Sequence, residues 1–168
     1  MSLRAPQFGA LLMAVLLGLD YGSKEWVRQT VELYEMTNLI PGLLDLTHVQ
    51  NRGVSFSFMA DWPDVIRLPL LVGVSGAAVL GMGFYLIRYW EELDLWTWLA
   101  LLCILPGAVG NLIDRALWGH VTDFFHFRWG DLSFFVNNLA DIFISFGVVF
   151  LVWGSLNAPK AQAPPPAS

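Results

Sequence analysis

Long apolar runs separated by short polar stretches dominate this chain. About 20 apolar residues at 1.5 Å rise each are enough to cross a bilayer as a helix. Four windows reach that length: Phe8 to Trp26, Val65 to Tyr85, Leu95 to Asp114 and Phe134 to Trp153. They predict an all-α membrane protein with four transmembrane helices and both termini in one compartment. The stretch from 28 to 62 is different. There "LLDLTHVQNRGVSFSF" shows short alternating runs on either side of Asn51-Arg52-Gly53. That pattern predicts a small β insertion outside the membrane, a hairpin or ribbon, between helices 1 and 2. The segment "RYWEELDLW" joins the second and third spans, and the Pro/Ala-rich "NAPKAQAPPPAS" predicts a disordered tail over 158–168. One membrane domain over 1–157 remains. The opening "MSLRAPQFGALLMAVLLGLD" has a signal peptide's arginine and apolar stretch but no small-x-small cleavage site. It is read as a retained first helix.

Composition agrees. Of 168 residues, 56% are hydrophobic and 14% charged, whereas soluble domains carry about 25% charged residues. A single cysteine, Cys103, excludes an intramolecular disulfide and a cysteine-cluster metal site. The net charge of −5, with no basic run, excludes nucleic acid as a partner. Cations do not orient the chain. With cytoplasmic termini, Arg4, Arg88 and Lys160 lie inside, while Lys24, Arg28, Arg52, Arg67, Arg115 and Arg128 lie outside. That runs against the positive-inside tendency. Gly73, Gly76, Ala77, Gly81 and Gly83 on the second span form a small-residue stripe of the kind that lets membrane helices approach closely.

The polar residues inside these spans group by helical spacing. Asn138, Asp141 and Ser145 share a face of the fourth, and Gly107, Asn111 and Asp114 share one of the third, with Arg115 next. Asp20 and Lys24 stand four apart on the first, with the acid on the favourable N-terminal side. An up-down-up-down chain brings all of them, and Asp123 in the loop between spans three and four, to one membrane surface. Intramembrane carboxylates are costly and usually functional. Two of them close together cannot both ionise easily, so one keeps its proton while the other can activate water, as in aspartic proteases.

Five stretches carry a resemblance. "LDYGSK" (19 to 24), "NRGVSFSF" (51 to 58), "GAVGNLIDR" (107 to 115), "VTDFFHF" (121 to 127) and "NLAD" (138 to 141) occur in the order seen in lipoprotein signal peptidase, signal peptidase II. The resemblance implies a catalytic dyad of Asp123 and Asp141. It places Asn51, Gly53, Asn111, Arg115 and Asn138 around the site, with Asp20, Lys24 and Asp114 supporting it. It also implies a diacylglyceryl-modified prolipoprotein substrate, cut just before the lipidated cysteine, and contact with membrane lipids. No cofactor and no metal are implied, and the site and the β insertion face the extracytoplasmic side of the bacterial cytoplasmic membrane. A monomer is expected. Tyr21-Gly22-Ser23, Val54-Ser55, Pro106 and Asn137 depart from the family's usual residues, which leaves a specialised paralogue open.

Plainer readings stand beside these. Asp141 with Asn137 and Asn138 could serve as a helix cap, Asp114 could pair with Arg115 to fix a helix end, and Asp20 with Lys24 reads as a structural pair. Asn51 could serve only its turn. His120, Asp123 and His126, with His48 more distant, invite a metal, but strand geometry would point Asp123 away from both nearer histidines. The aromatics Phe124, Phe125, Phe127 and Trp129 suit a headgroup-level belt or an acyl-chain pocket. A small proton-coupled transporter or a non-catalytic lipoprotein-binding paralogue are the competing functions.

Overall fold

The computed structural model describes residues 5–53 and 62–157. Within them the elements run α1 (Pro6–Thr30), β1 (Met36–Ile40), β2 (Leu44–Asn51), α2 (Asp64–Arg88), α3 (Leu95–Trp118), β3 (Val121–Trp129), β4 (Leu132–Asn137) and α4 (Leu139–Leu156). The expectations for Val54-Ser55, for the strand after Gly53 and for the 158–168 tail lie outside the described residues.

Three helices, α2, α3 and α4, are long and apolar enough to cross a membrane. The first helix is as long as α2 at 25 residues, but Asp20, Lys24, Glu25 and Arg28 crowd its C-terminal half. Large apolar side chains cover the outer surface, among them Val65, Leu80, Phe84 and Ile87 on α2, each at least 70% exposed. So broad an apolar exterior belongs against lipid.

The third helix is central, packing against α1, α2 and most extensively α4. Its contact with α4 depends on missing side chains. A Cβ on Gly107 would lie 2.6 Å from the Ala140 carbonyl, and one on Gly147 would lie 2.8 Å from the Ala100 carbonyl. By contrast, a Cβ on Gly73, Gly76, Gly81 or Gly83 would meet nothing within 4 Å. The α2 glycines therefore do not make the close helix contact that their spacing suggests, and the α3 and α4 glycines do. At the far end of the bundle from the sheet, Leu86, Trp98, Leu101, Leu102 and Leu105 form a core with Phe8, Leu12 and Trp90 against it.

The β structure is larger than expected and differently placed. All four strands form one antiparallel sheet in the order β1-β2-β3-β4. Half of it comes from between α3 and α4 rather than from the 28–62 insertion. The first hairpin turns at Pro41-Gly42-Leu43, where Gly42 has φ 75°, and not at Asn51-Arg52-Gly53. Residues 134–137 belong to β4 and not to the fourth helix, whose first residue is Leu139. Asp123 accordingly lies within a strand and not in a loop. The cause is local: Phe134-Phe135-Val136 is apolar enough to extend a helical window, yet its aromatic and β-branched residues suit a strand equally well.

Candidate active site

Asn138 is the hub of the site. It is the N-cap of α4, accepting from the Asp141 N–H at 3.1 Å, while Asp141 reaches back to the Asn138 N–H at 3.3 Å, a capping box. The fully buried Asn138 amide also donates to Asp123 Oδ1 at 2.6 Å and to Asn111 Oδ1 at 3.3 Å. A second asparagine, Asn51 at the end of β2, donates to Asp123 Oδ2 at 2.9 Å. A third, Asn111 on α3, donates to Asp141 Oδ1 at 2.9 Å. Each carboxylate is thus held by asparagine amides, and Asn138 joins the two.

Asp123 is 2% exposed. Burial first, then the neighbouring Asp141 carboxylate, push its carboxyl up to about 7, against the pull of the Asn51 and Asn138 amides and the Lys24 ammonium. Opposing forces of this kind keep a proton on one of two adjacent acids near neutral pH.

A buried ionic layer lies beside the two acids. Lys24 Nζ donates to Asp20 Oδ2 at 2.8 Å and to Asn111 Oδ1 at 2.8 Å, and lies 3.5 Å from Asp114 Oδ2. Lys24 and Asp20 are fully buried and Asp114 nearly so. Asp20 Oδ1 in turn accepts from the Ala140 N–H at 2.9 Å, tying α1 to the first turn of α4. Gly110 faces Asp20 so closely that a Cβ there would collide with Asp20 Oδ2. Removing one member of such a network would leave buried charge unpaired.

The Asn51-Arg52-Gly53 turn is pinned from two sides. Asn51 Oδ1 accepts from the Gly53 N–H at 3.1 Å, so this side chain shapes its own turn and reaches Asp123 together. Arg115 donates to the Gly53 carbonyl at 3.2 Å and to the Asn111 carbonyl at 3.3 Å. Arg67, fully buried on α2, donates to the Arg52 carbonyl and to Asp64.

All ten residues singled out from the sequence are therefore gathered at one end of the bundle. One expected pairing differs. Asp114 engages Lys24, Arg28 at 3.3 Å and the Thr122 N–H at 3.0 Å, while Arg115 turns to backbone carbonyls. Adjacent residues on a helix point about 100° apart, so Asp114 and Arg115 face different neighbours. Sequence reasoning missed Arg67, Thr122 and the role of Arg28. For Arg28 a signal existed: Asp20, Lys24 and Arg28 recur at i, i+4, i+8 along one face of α1. His126 lies on the sheet face opposite Asp123, with Nδ1 3.2 Å from the buried Asp45 and Nε2 2.7 Å from Ser133. The histidines therefore do not join Asp123. His120, in the turn before β3, has its imidazole held below the usual range by burial.

Fold and site together define a helical membrane protein with two carboxyls gathered where a small sheet meets the helix ends. The model of the signal peptidase (SPase) II family matches residues 12–157, and the chain belongs to that family, and with it to the peptidases. Lipoprotein signal peptidases of Streptococcus pyogenes serotypes M5, M2 and M18 are each 35% identical over 144 residues, covering 84% of this chain and 88% of the relative. Two solved structures described as a bacterial membrane enzyme share the fold. One has a TM-score of 0.76 at 20% identity, covering 95% of this chain and 96% of that one. The other has 0.77 at 21%, covering 92% and 96%.

Proposed function

We propose that this protein is an aspartyl endopeptidase that removes the signal peptide from diacylglyceryl-modified prolipoproteins, cutting just before the lipidated cysteine. The observation that carries the reading is the pair Asp123 and Asp141, joined through Asn138, with the Asp123 carboxyl pushed up to about 7. In this reading the dyad holds one proton. Protonated Asp123 polarises the scissile carbonyl, and the Asp141 carboxylate takes a proton from the attacking water. As the tetrahedral intermediate collapses, the proton gained by the dyad passes to the leaving amine. Asn51, Asn111 and Asn138 hold the two carboxyls in place, and Arg115 fixes the Asn51-Arg52-Gly53 turn. Gly53 keeps that turn small, while Asp20, Lys24 and Asp114 form the ionic support behind it. No metal takes part.

In this reading α1 is a fourth span. At 25 residues it is about 37 Å long, ample for a bilayer, and its polar end lies at the membrane surface with the dyad. The peptidase domain is 1–157, in the bacterial cytoplasmic membrane, with the sheet and dyad toward the extracytoplasmic side. In this reading the protein acts as a monomer. Diacylglycerol on the substrate would confine the scissile bond to the depth of the dyad, so the bilayer itself supplies proximity.

The test is cleavage of a diacylglyceryl-modified prolipoprotein in nanodiscs with EDTA present. Wild type is compared with Asp123→Asn and Asp141→Asn. Cleavage by wild type, unaffected by chelator and lost in both variants, is the expected result. A wild type that binds this substrate without cutting it overturns the reading and favours a non-catalytic paralogue.

A further inference from the structure

We infer that Arg28 and Thr122 are positioning residues for the reaction, clamping the first turn of β3 so that Asp123 is held against Asp141. The inference rests on the dyad reading above. It begins with how weakly the backbone alone holds Asp123. On one side β3 starts only two residues after Gly119, which has φ 74° and ends α3. On the other, the β2–β3 ladder shifts register between Leu46 and Val49, the residue paired with Asp123. Only Val121, Thr122 and Asp123 pair regularly with β2 between these two interruptions. The extra residue is on β2, where Thr47 and His48 oppose Phe124 alone. Such a bulge disrupts the ladder locally, so the pairing beside Asp123 is short for a carboxyl that must keep its distance from another.

Side chains on the opposite face supply the missing restraint. Successive strand residues point to opposite faces, so Thr122 turns away from the dyad, toward α1 and α3. There Arg28 Nη1 donates to Thr122 Oγ1 at 2.9 Å and to Asp114 Oδ1 at 3.3 Å. Asp114 closes the triangle by accepting from the Thr122 N–H at 3.0 Å. Thr122 is fully buried and Asp114 is 1% exposed. Arg28 is itself held, by Glu25 at 3.1 Å and with its guanidinium 5.4 Å from the centre of the Trp118 ring. The strand residue next to Asp123 is thereby bolted to two helices by both its backbone and its side chain. Neither Arg28 nor Thr122 shares the face of β3 that carries Asp123, so they act through the strand and not on substrate.

The test uses the full chain in detergent and follows cleavage of a diacylglyceryl-modified prolipoprotein across pH, separating kcat from KM. Thr122→Val keeps the β-branched shape suited to a strand and removes only the hydroxyl, while Thr122→Ser keeps the hydroxyl. The charged groups facing Asp123 are Asp141 from α4, Lys24 from α1 and Arg115 from α3, and none changes in these variants. Thr122→Val should lower kcat by about tenfold to a hundredfold, the scale of a small misplacement of a reacting group, with KM little changed. Its alkaline limb should move to lower pH, because Asp123 drifts from Asp141. Thr122→Ser should restore both kcat and limb. Arg28→Lys, which cannot bridge two acceptors in the same planar geometry, should shift the limb the same way, and serves if Thr122→Val does not fold. An unmoved limb in folded Thr122→Val and in Arg28→Lys, beside an inactive Asp123→Asn, overturns this inference alone. Wild-type cleavage by Asp123→Asn overturns the dyad reading and this inference with it.

Discussion

Replacing Asp123 by asparagine should make the protein increasingly stable relative to wild type as the pH rises, even as it removes cleavage. The folded carboxyl sits near 7 where an ordinary aspartate sits at 3.8, chiefly because it is buried and secondly because Asp141 is beside it. Below about pH 4 both folded and unfolded chains carry the proton and Asp123 costs nothing electrostatically. Between about 4 and 7 the unfolded chain gives up the proton while the folded one keeps it, so wild-type stability falls with each step and levels off above 7. At about 1.36 kcal/mol per pH step, the full loss is about 4 kcal/mol. Asparagine introduces a cost of its own. Its amide nitrogen must face one of two donors, the Asn51 and Asn138 amides that now bond Asp123, at about 1–3 kcal/mol. That cost is the same at every pH. The quantity to measure is therefore the Tm of Asp123→Asn minus that of wild type in detergent micelles, at about pH 4 and about pH 8. The difference should rise between the two by about 8–16 °C, taking about 2–4 °C per kcal/mol for a chain of this size. A difference that stays constant, or falls, refutes the claim that the site holds Asp123 protonated.

Two further outcomes follow from the packing around the dyad. Lys24→Met should cost about 3–5 kcal/mol by leaving Asp20 and Asp114 buried without their shared cation, and Asp20→Asn in the same chain should recover part of the loss in a double-mutant cycle of Tm. Gly110→Ala should lower both Tm and cleavage, because its Cβ displaces the Asp20 carboxylate, whereas Gly73→Ala, with nothing near its Cβ, should hold cleavage constant and gain up to about 1 kcal/mol of helix stability.

The site was more legible than the fold around it. Asn138 and Asp141, or Asn111 and Asp114, fall on one helix face by spacing alone, and the end of the bundle they share follows from counting apolar windows. What periodicity does not carry is the identity of the group across the gap. Asp114 stands next to Arg115 in the chain, yet its partners are Lys24 and Arg28, which lie 90 and 86 residues earlier. Strand order is equally hidden, because β2 and β3 pair across the whole of α2 and α3. The aromatic stretch Phe134 to Val136 has no polar interruption to show where strand gives way to helix. Only the asparagine cap at Asn138 marks it.

The sheet draws two strands from either half of the chain, and this sets an order of events during synthesis. Asn51 emerges 72 residues before the Asp123 it must hold, and Asn111 emerges 30 before Asp141. Until α4 has left the ribosome and been seated, Asp141 is missing and Asp123 has the Asn51 amide but not that of Asn138. In the dyad reading, a nascent chain halted anywhere before Asp141 is therefore inert. The arrangement around the two carboxyls is completed in a single late step, when α4 is seated and Asn138 caps it.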